Sequence, residues 1–107
     1  MIQSLHNEAL ALHITICEER RNLKEHLRLL EDDGQDITAA GTDIIFLDGV
    51  SYWLRCALQG PPDYPYSACR DELSQRATQL TAQGNIGAFT LAKRLEHFAD
   101  ALDLYAD

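Results

Sequence analysis

Residues 43–54 read DIIFLDGVSYWL, and this stretch decides the fold because two structures fit it. An Asp-Gly pair between apolar residues is the strongest short signal for a β-hairpin. Both faces of that hairpin would be largely apolar and would need cover, yet no third strand is evident in the sequence. Because a lone two-stranded hairpin is only marginally stable in water, the hairpin interpretation lacks the partners that it requires.

The same stretch also fits a helix. Two adjoining apolar stripes run from Ile37 to Leu58, and most residues on the opposite side are polar or small. Gly60, which two prolines follow, is a strong helix stop. Gly49 inside a helix costs about 1 kcal/mol relative to alanine, but the periodicity continues over roughly five turns and outweighs that cost. We therefore predict a helix over residues 37–59.

Apolar periodicity predicts three more helices. Residues 4–31 follow a heptad-like apolar repeat, and Gly34 is available as a left-handed C-cap. The proline-rich segment 60–66 precedes a third helix at 67–83, and residues 86–106 carry the most regular apolar pattern in the sequence. Four helices joined by short or moderate loops predict an all-α, compact, four-helix bundle-like domain.

Length and composition predict a single domain that spans residues 1–107. With 107 residues, of which 46% are hydrophobic, the chain resembles an ordinary globular protein in composition. Its N-terminal residues lack the features of a signal peptide, and no apolar run approaches the length of about 20 residues that a membrane helix needs. Three widely spaced cysteines without a CxxC pair predict free thiols in a reducing compartment. We expect a cytoplasmic protein.

The charge balance limits the partners that we expect. Seventeen Asp and Glu residues against nine Lys and Arg residues give a net charge of −8. Because binding to nucleic acid or to an anionic membrane usually relies on cationic residues, we expect neither as a partner. The acidity suits a basic patch on another protein, although many cytosolic proteins are acidic without any such role.

A homodimer is predicted from the apolar surfaces of the second and fourth helices. Helix two is apolar over more than half of its circumference, and Ala101 and Leu104 flank the seam of helix four. Three other helices of this length do not obviously cover so much surface, and large exposed apolar patches usually mark interfaces. The seam of helix four consists of Ala88, Leu91, Leu95, Phe98, Leu102 and Tyr105, with Ala92, Ala99 and Ala106 beside it.

The linker GPPDYPY provides two candidate partner-binding residues, Tyr64 and Tyr66. Tyrosines on a proline-stiffened loop suit an interface hot spot, and the residues from Pro61 to Tyr64 match the short PPxY pattern of WW-domain ligands. The alternative is that the tyrosines pack on one end of the bundle.

Charged residues form two further candidate surfaces. Helix one carries the basic stripe Arg20, Lys24 and Arg28 at four-residue spacing. Each surface could be an ordinary solvated face, or the two could meet within the bundle or across a dimer. We include the carboxylates of helix four among the candidate partner-binding residues. This acidic ridge consists of Glu96, Asp100, Asp103 and Asp107.

His13 and Cys17 lie four residues apart on one helical stripe, which is compatible with a shared metal ion. Imidazole and thiolate suit zinc or copper, but a further ligand such as Cys56 would have to come from tertiary folding. Such residues on a bundle helix are more often packing residues. We predict no metal site and no cofactor.

The sequence contains none of the GxGxxG, GxxxxGK[ST], HExxH or GxSxG motifs, and we predict that the protein is not an enzyme. The leading hypothesis is a small cytosolic helical regulator that binds another protein, in the manner of an antiactivator, inhibitor, immunity protein or chaperone. The alternative is a metal- or redox-responsive sensor that uses His13 and Cys17. A third possibility is a structural subunit of a complex.

Overall fold

The computed structural model describes residues 3–83 and 86–104, apart from the side chains of residues 86 and 87. These ranges contain no strand, so the all-α prediction is confirmed and the stretch from 43 to 54 is helical. The predicted bounds of the first three helices agree with the observed ones to within one residue. The fourth helix begins at the predicted residue but ends at Asp103, before the predicted end at 106, and residues 105–107 lie outside the described residues. The four helices are α1 (Gln3–Asp32), α2 (Thr38–Gln59), α3 (Tyr66–Ala82) and α4 (Ile86–Asp103).

Glycine ends the first two helices, as their positions in the sequence predict. Gly34 has a φ of 70°, and the amide of Gln35 donates to the carbonyl of Leu30 at 2.9 Å, as in a Schellman cap. Gly60 has a φ of 69° and donates its amide to the carbonyl of Cys56 at 2.9 Å. Both glycines adopt a left-handed conformation that side chains disfavour.

The helices form an up-and-down ring in chain order. Helix α1 packs against α2 and α4, and α3 packs against the same two neighbours. Among the described residues the diagonal pairs, α1 with α3 and α2 with α4, make no comparable contact. Each helix therefore turns one apolar stripe toward a shared core, as in a four-helix bundle.

The core buries the apolar stripes of all four helices and, among the described residues, no polar or charged side chain. The residues of the α4 seam from Ala88 to Leu102 are part of this core, as are Ala92 and Ala99, while Tyr105 lies outside the described residues. Of the two residues that flank the seam, Ala101 is half-buried and Leu104 is 82% exposed. The largest fully buried side chains are Phe98, Leu12, Ile16, Leu54, Leu73, Leu95, Leu102, Val50 and Cys69.

Helix α1 is much longer than α3 and α4. Its 30 residues span about 45 Å, whereas the 17 residues of α3 and the 18 of α4 span about 26 Å. Consequently the end of α1 and the start of α2 extend beyond the end of α3 and the start of α4, and the molecule measures 50 × 23 × 20 Å. We call residues 24–42 the α1–α2 tip.

Candidate functional site

The two predicted hot-spot tyrosines pack on the bundle. Both are half-buried against the core, and the ring of Tyr64 meets that of Tyr52 edge-on with 6.5 Å between centroids. Tyr66 is the first residue of α3 rather than a loop residue, and its hydroxyl lies against the backbone of Gly60. The contacts are those of the packing alternative, in which the tyrosines close one end of the bundle.

The acidic ridge of α4 is partly neutralised by the chain itself. Asp103 forms an ion pair with Arg70 of α3, and Glu96 lies 3.6 Å from the ammonium of Lys93. Asp100 is exposed and makes no ion pair with any described residue. Asp107 lies outside the described residues. Because Arg70 is one helical turn beyond Tyr66, the structure brings the tyrosines and the end of the ridge to the same end of the bundle.

The basic stripe of α1 does not meet the acidic ridge within the chain. Arg20 forms an ion pair with Asp48 of α2. The guanidinium of Arg28 contacts only carboxylates of α1 among the described residues. It lies 2.5 Å from the carboxylate of Glu25 and 3.5 Å from that of Asp32. Lys24 has no ionic partner among the described residues. Of this stripe, only Arg20 therefore makes an ion pair between α1 and α2 within the described residues.

His13 and Cys17 are neighbours, as their spacing predicts. The Cys17 sulfur lies 3.7 Å from Nδ1 of His13, and Nε2 of the same ring lies 2.8 Å from the hydroxyl of Ser51 on α2. Cys17 is exposed, whereas Cys56 is buried. Across residues 3–83 and 86–104, no group of three or more His, Cys, Asp or Glu side chains is arranged to hold a metal ion.

A groove of about 410 Å³ lies next to the α1–α2 tip, between α1, α2, the end of α3 and the start of α4. Its floor is apolar because Leu47, Leu80 and Leu91 are buried there, while Leu23 and Phe46 lie half-buried along its walls. All four helices contribute to it. The groove is lined by Thr15, Glu19, Leu23, Asp43, Phe46, Leu47, Leu80, Gln83, Ala88, Thr90, Leu91 and Arg94.

The charges of the groove are unevenly compensated. The guanidinium of Arg94 lies 3.4 Å from the carboxylate of Glu8 and 3.2 Å from the hydroxyl of Thr15. Glu19 and Asp43 have no ionic partner within the part of the chain that the structure describes. The groove therefore presents two uncompensated carboxylates beside an apolar floor, at the end of the bundle opposite to the two tyrosines.

Sequence reasoning missed this groove. Its apolar residues belong to the predicted core stripes, and its carboxylates are far apart in the chain. The unequal lengths of the predicted helices, 4–31 against 67–83, were the available signal. A bundle with one overlong helix must leave part of that helix without cover.

Comparison of the chain with protein-family models, with curated proteins and with solved structures found no match in any of the three. Among residues 3–83 and 86–104 there is no helix with the length and apolar character needed to cross a membrane. The geometry of the bundle and of its groove is therefore the basis for any functional argument.

Proposed function

We propose that this chain is a small helical regulator that acts by binding another protein, of the antiactivator, inhibitor, immunity or chaperone type. One observation carries the proposal: the groove joins an apolar floor to two uncompensated carboxylates, Glu19 and Asp43. Concave apolar surfaces with a few polar groups are the usual form of binding sites. On this proposal the protein works in the cytoplasm by occupying its partner, without catalysing a reaction.

Two surfaces compete for the role of the binding site. At the tyrosine end, Tyr64 and Tyr66 already pack on the core and Asp103 is already paired with Arg70. A partner would have to displace these contacts in order to use the groups. At the groove, by contrast, Glu19 and Asp43 have no ionic partner among the described residues, so the groove is the primary candidate. The tyrosines and the acidic ridge remain the second.

Site-specific photo-crosslinking in the native host tests this choice. A photoreactive amino acid placed at Leu27, beside the groove, is expected to capture a partner protein. The same amino acid at the exposed Leu10, outside the groove lining, is the control, and at Tyr64 it tests the opposite end of the bundle. The captured protein would then be purified and its affinity for the unmodified chain measured. Capture only from Tyr64 would move the site to the opposite end, and a failure of every captured protein to bind when pure would contradict the proposal.

A sensor is the second candidate function, because the exposed Cys17 lies 3.7 Å from the imidazole of His13. A thiol beside an imidazole is a common setting for oxidation or metal binding. Metal analysis of protein purified without an affinity tag, together with Cys17→Ser, tests it. Bound metal and activity that are both lost in Cys17→Ser would replace the regulator proposal with the sensor.

A further inference from the structure

We infer that the groove binds an amphipathic helix whose apolar face is flanked by Lys or Arg residues. This inference rests on the proposed function and specifies the chemistry of the partner. Three features of the structure lead to it. Part of the apolar stripe of α1 is only half-buried, the surface around the groove is acidic, and Arg94 is already paired with Glu8.

The shape of the uncovered surface fits a helix. On α1 the core stripe that includes the buried Ile16 continues through Leu23, Leu27 and Leu30, but these three leucines are only half-buried. Nearer the bundle body the same stripe is covered by α4, whose first turns lie level with the groove. Ile44 of α2 is half-buried as well. An added helix lying over the α1–α2 tip would extend this cover by the same packing of side chains between helices.

The charges around this surface favour a basic occupant. Glu19 and Asp43 line the groove without ionic partners, and residues 31–36 at the far end of the tip hold four carboxylates and no Lys or Arg. Of these four, Asp32 lies 3.5 Å from the guanidinium of Arg28, and the others have no ionic partner among the described residues. A helix with cations along its edges would pair with them while its apolar face fills the groove.

The same charges disfavour a second copy of the chain as the occupant. Two copies that met face to face through the groove would bring Glu19 and Asp43 of one copy toward those of the other. The groove's cation, Arg94, is already held by Glu8 and Thr15 and so would offer little compensation. Like charges brought together at an interface oppose association. The partner is therefore another polypeptide of opposite charge.

Two synthetic peptides of the same length test the inference. Both are helix-forming, with leucines at positions i, i+3, i+4 and i+7, and they differ only in carrying Lys or Glu at the flanking positions. Fluorescence anisotropy with the full chain measures the affinity of each. The Lys peptide is expected to bind at least roughly tenfold more tightly than the Glu peptide in low salt, and the difference is expected to shrink in high salt.

Charge-neutral variants locate the binding site. Glu19→Gln combined with Asp43→Asn is expected to weaken binding of the Lys peptide by roughly five- to tenfold, since each exposed ion pair contributes modestly to affinity. Glu18→Gln combined with Asp71→Asn changes the net charge equally, at exposed residues outside the groove lining and the acidic ridge, and is the matched control. Leu27→Ala is expected to weaken binding in low and high salt alike. Thermal unfolding of every variant establishes that the fold is retained.

Several results would overturn the inference: equal affinity for the two peptides, no binding of the Lys peptide, or an equal effect of the control pair. Light scattering that shows a higher mass for Glu19→Gln with Asp43→Asn than for the unmodified chain, and no such increase for the control pair, would point to a second copy instead. These results leave the proposed function separately testable. If the peptides fail while Leu27 captures a protein that binds when pure, the regulator proposal stands and only the assigned partner chemistry is wrong.

Discussion

Gly49 shows how a residue that weakens a helix can serve the packing between helices. A Cβ atom added at Gly49 would lie 2.5 Å from Nη1 and 2.9 Å from Cζ of Arg76 on α3. The same guanidinium lies 5.8 Å from the ring centroid of Phe46 and 3.9 Å from the carboxylate of Glu72. Its Nε is buried without a hydrogen-bond partner in the described structure, so the flat cation is held by packing.

Replacing this glycine tests the packing role. Gly49→Ala is expected to leave the free energy of unfolding unchanged or to lower it, because displacement of Arg76 offsets the gain in helix propensity. A Cβ atom added at Gly41 in the same helix would meet no atom within 4 Å. Gly41→Ala is therefore expected to raise the free energy of unfolding by up to about 1 kcal/mol. In a chain that carries Arg76→Ala, Gly49→Ala should raise the free energy of unfolding by a similar amount. If urea unfolding shows the same change for Gly49→Ala with and without Arg76, the packing of Arg76 is not the reason for a glycine at this position.

Burial of the Cys69 thiol gives the fold a dependence on alkaline pH. Desolvation, with a smaller contribution from Cys56, raises the pKa of Cys69 from 9.0 to about 11. The unfolded chain therefore loses this proton at a lower pH than the folded one, so the free energy of unfolding falls as the pH rises from about 9 toward about 11. Cys69→Ala, which lacks the proton, should show a shallower decline over that range. Parallel stability curves for the two proteins would contradict the prediction.

At the scale of elements, the two halves of α1 differ in how much they contribute to stability. Leu12 is fully buried, whereas Leu27 on the tip is half-buried although both belong to the inward side of the helix. The difference follows from the lengths of the covering helices, not from residue type. A partner can therefore cover the apolar side chains of the tip without displacing contacts on which the stability of the fold depends.

The same leucine-to-alanine change at the two positions measures this difference. Leu12→Ala is expected to lower the free energy of unfolding by about 2–5 kcal/mol, and Leu27→Ala by less than about 1 kcal/mol, because only the first leaves a closed cavity. Denaturant unfolding of both variants provides the comparison. Similar losses would mean that the tip is covered in solution, as it would be in an oligomer.

The tyrosines at the other end of the bundle allow packing and binding to be separated. Tyr64→Ala is expected to lower the free energy of unfolding by roughly 1–3 kcal/mol, since it removes a half-buried ring from the core and from Tyr52. Partner affinity is expected to stay the same if the groove is the binding site. The two quantities must be measured on one variant. Lost affinity with intact stability would restore the tyrosine end as the interface.

The four helices could be predicted from the sequence because local patterns determine them, whereas the groove could not. Periodicity located α2 through Gly49, and the positions of Gly34 and Gly60 predicted where two helices end. The ion pairs that join helices, such as Arg20 with Asp48 and Arg70 with Asp103, depend on the relative position of two helices along their axes. That relative position also creates the groove, and no local pattern encodes it.

For the whole molecule, a homodimer stays a prediction. The α4 seam from Ala88 to Leu102 is buried within the chain, so dimerisation would have to use side chains that remain exposed, such as the flanking Leu104. Light scattering at micromolar concentration and above is expected to report twice the mass of the 12.0 kDa chain. A monomer over that range would contradict the prediction and leave the regulator proposal intact.

The ring order of the helices has a consequence for folding speed. Helix α1 packs on α2, α2 on α3 and α3 on α4, so within the described helices only the contact between α1 and α4 joins elements that are not consecutive in the chain. Proteins whose contacts are mostly local in sequence fold in about microseconds to milliseconds, because little loop-closure entropy is lost before contacts form. The chain should therefore expose its apolar stripes only briefly after synthesis, and closure of α1 onto α4 is the step that its topology makes slowest.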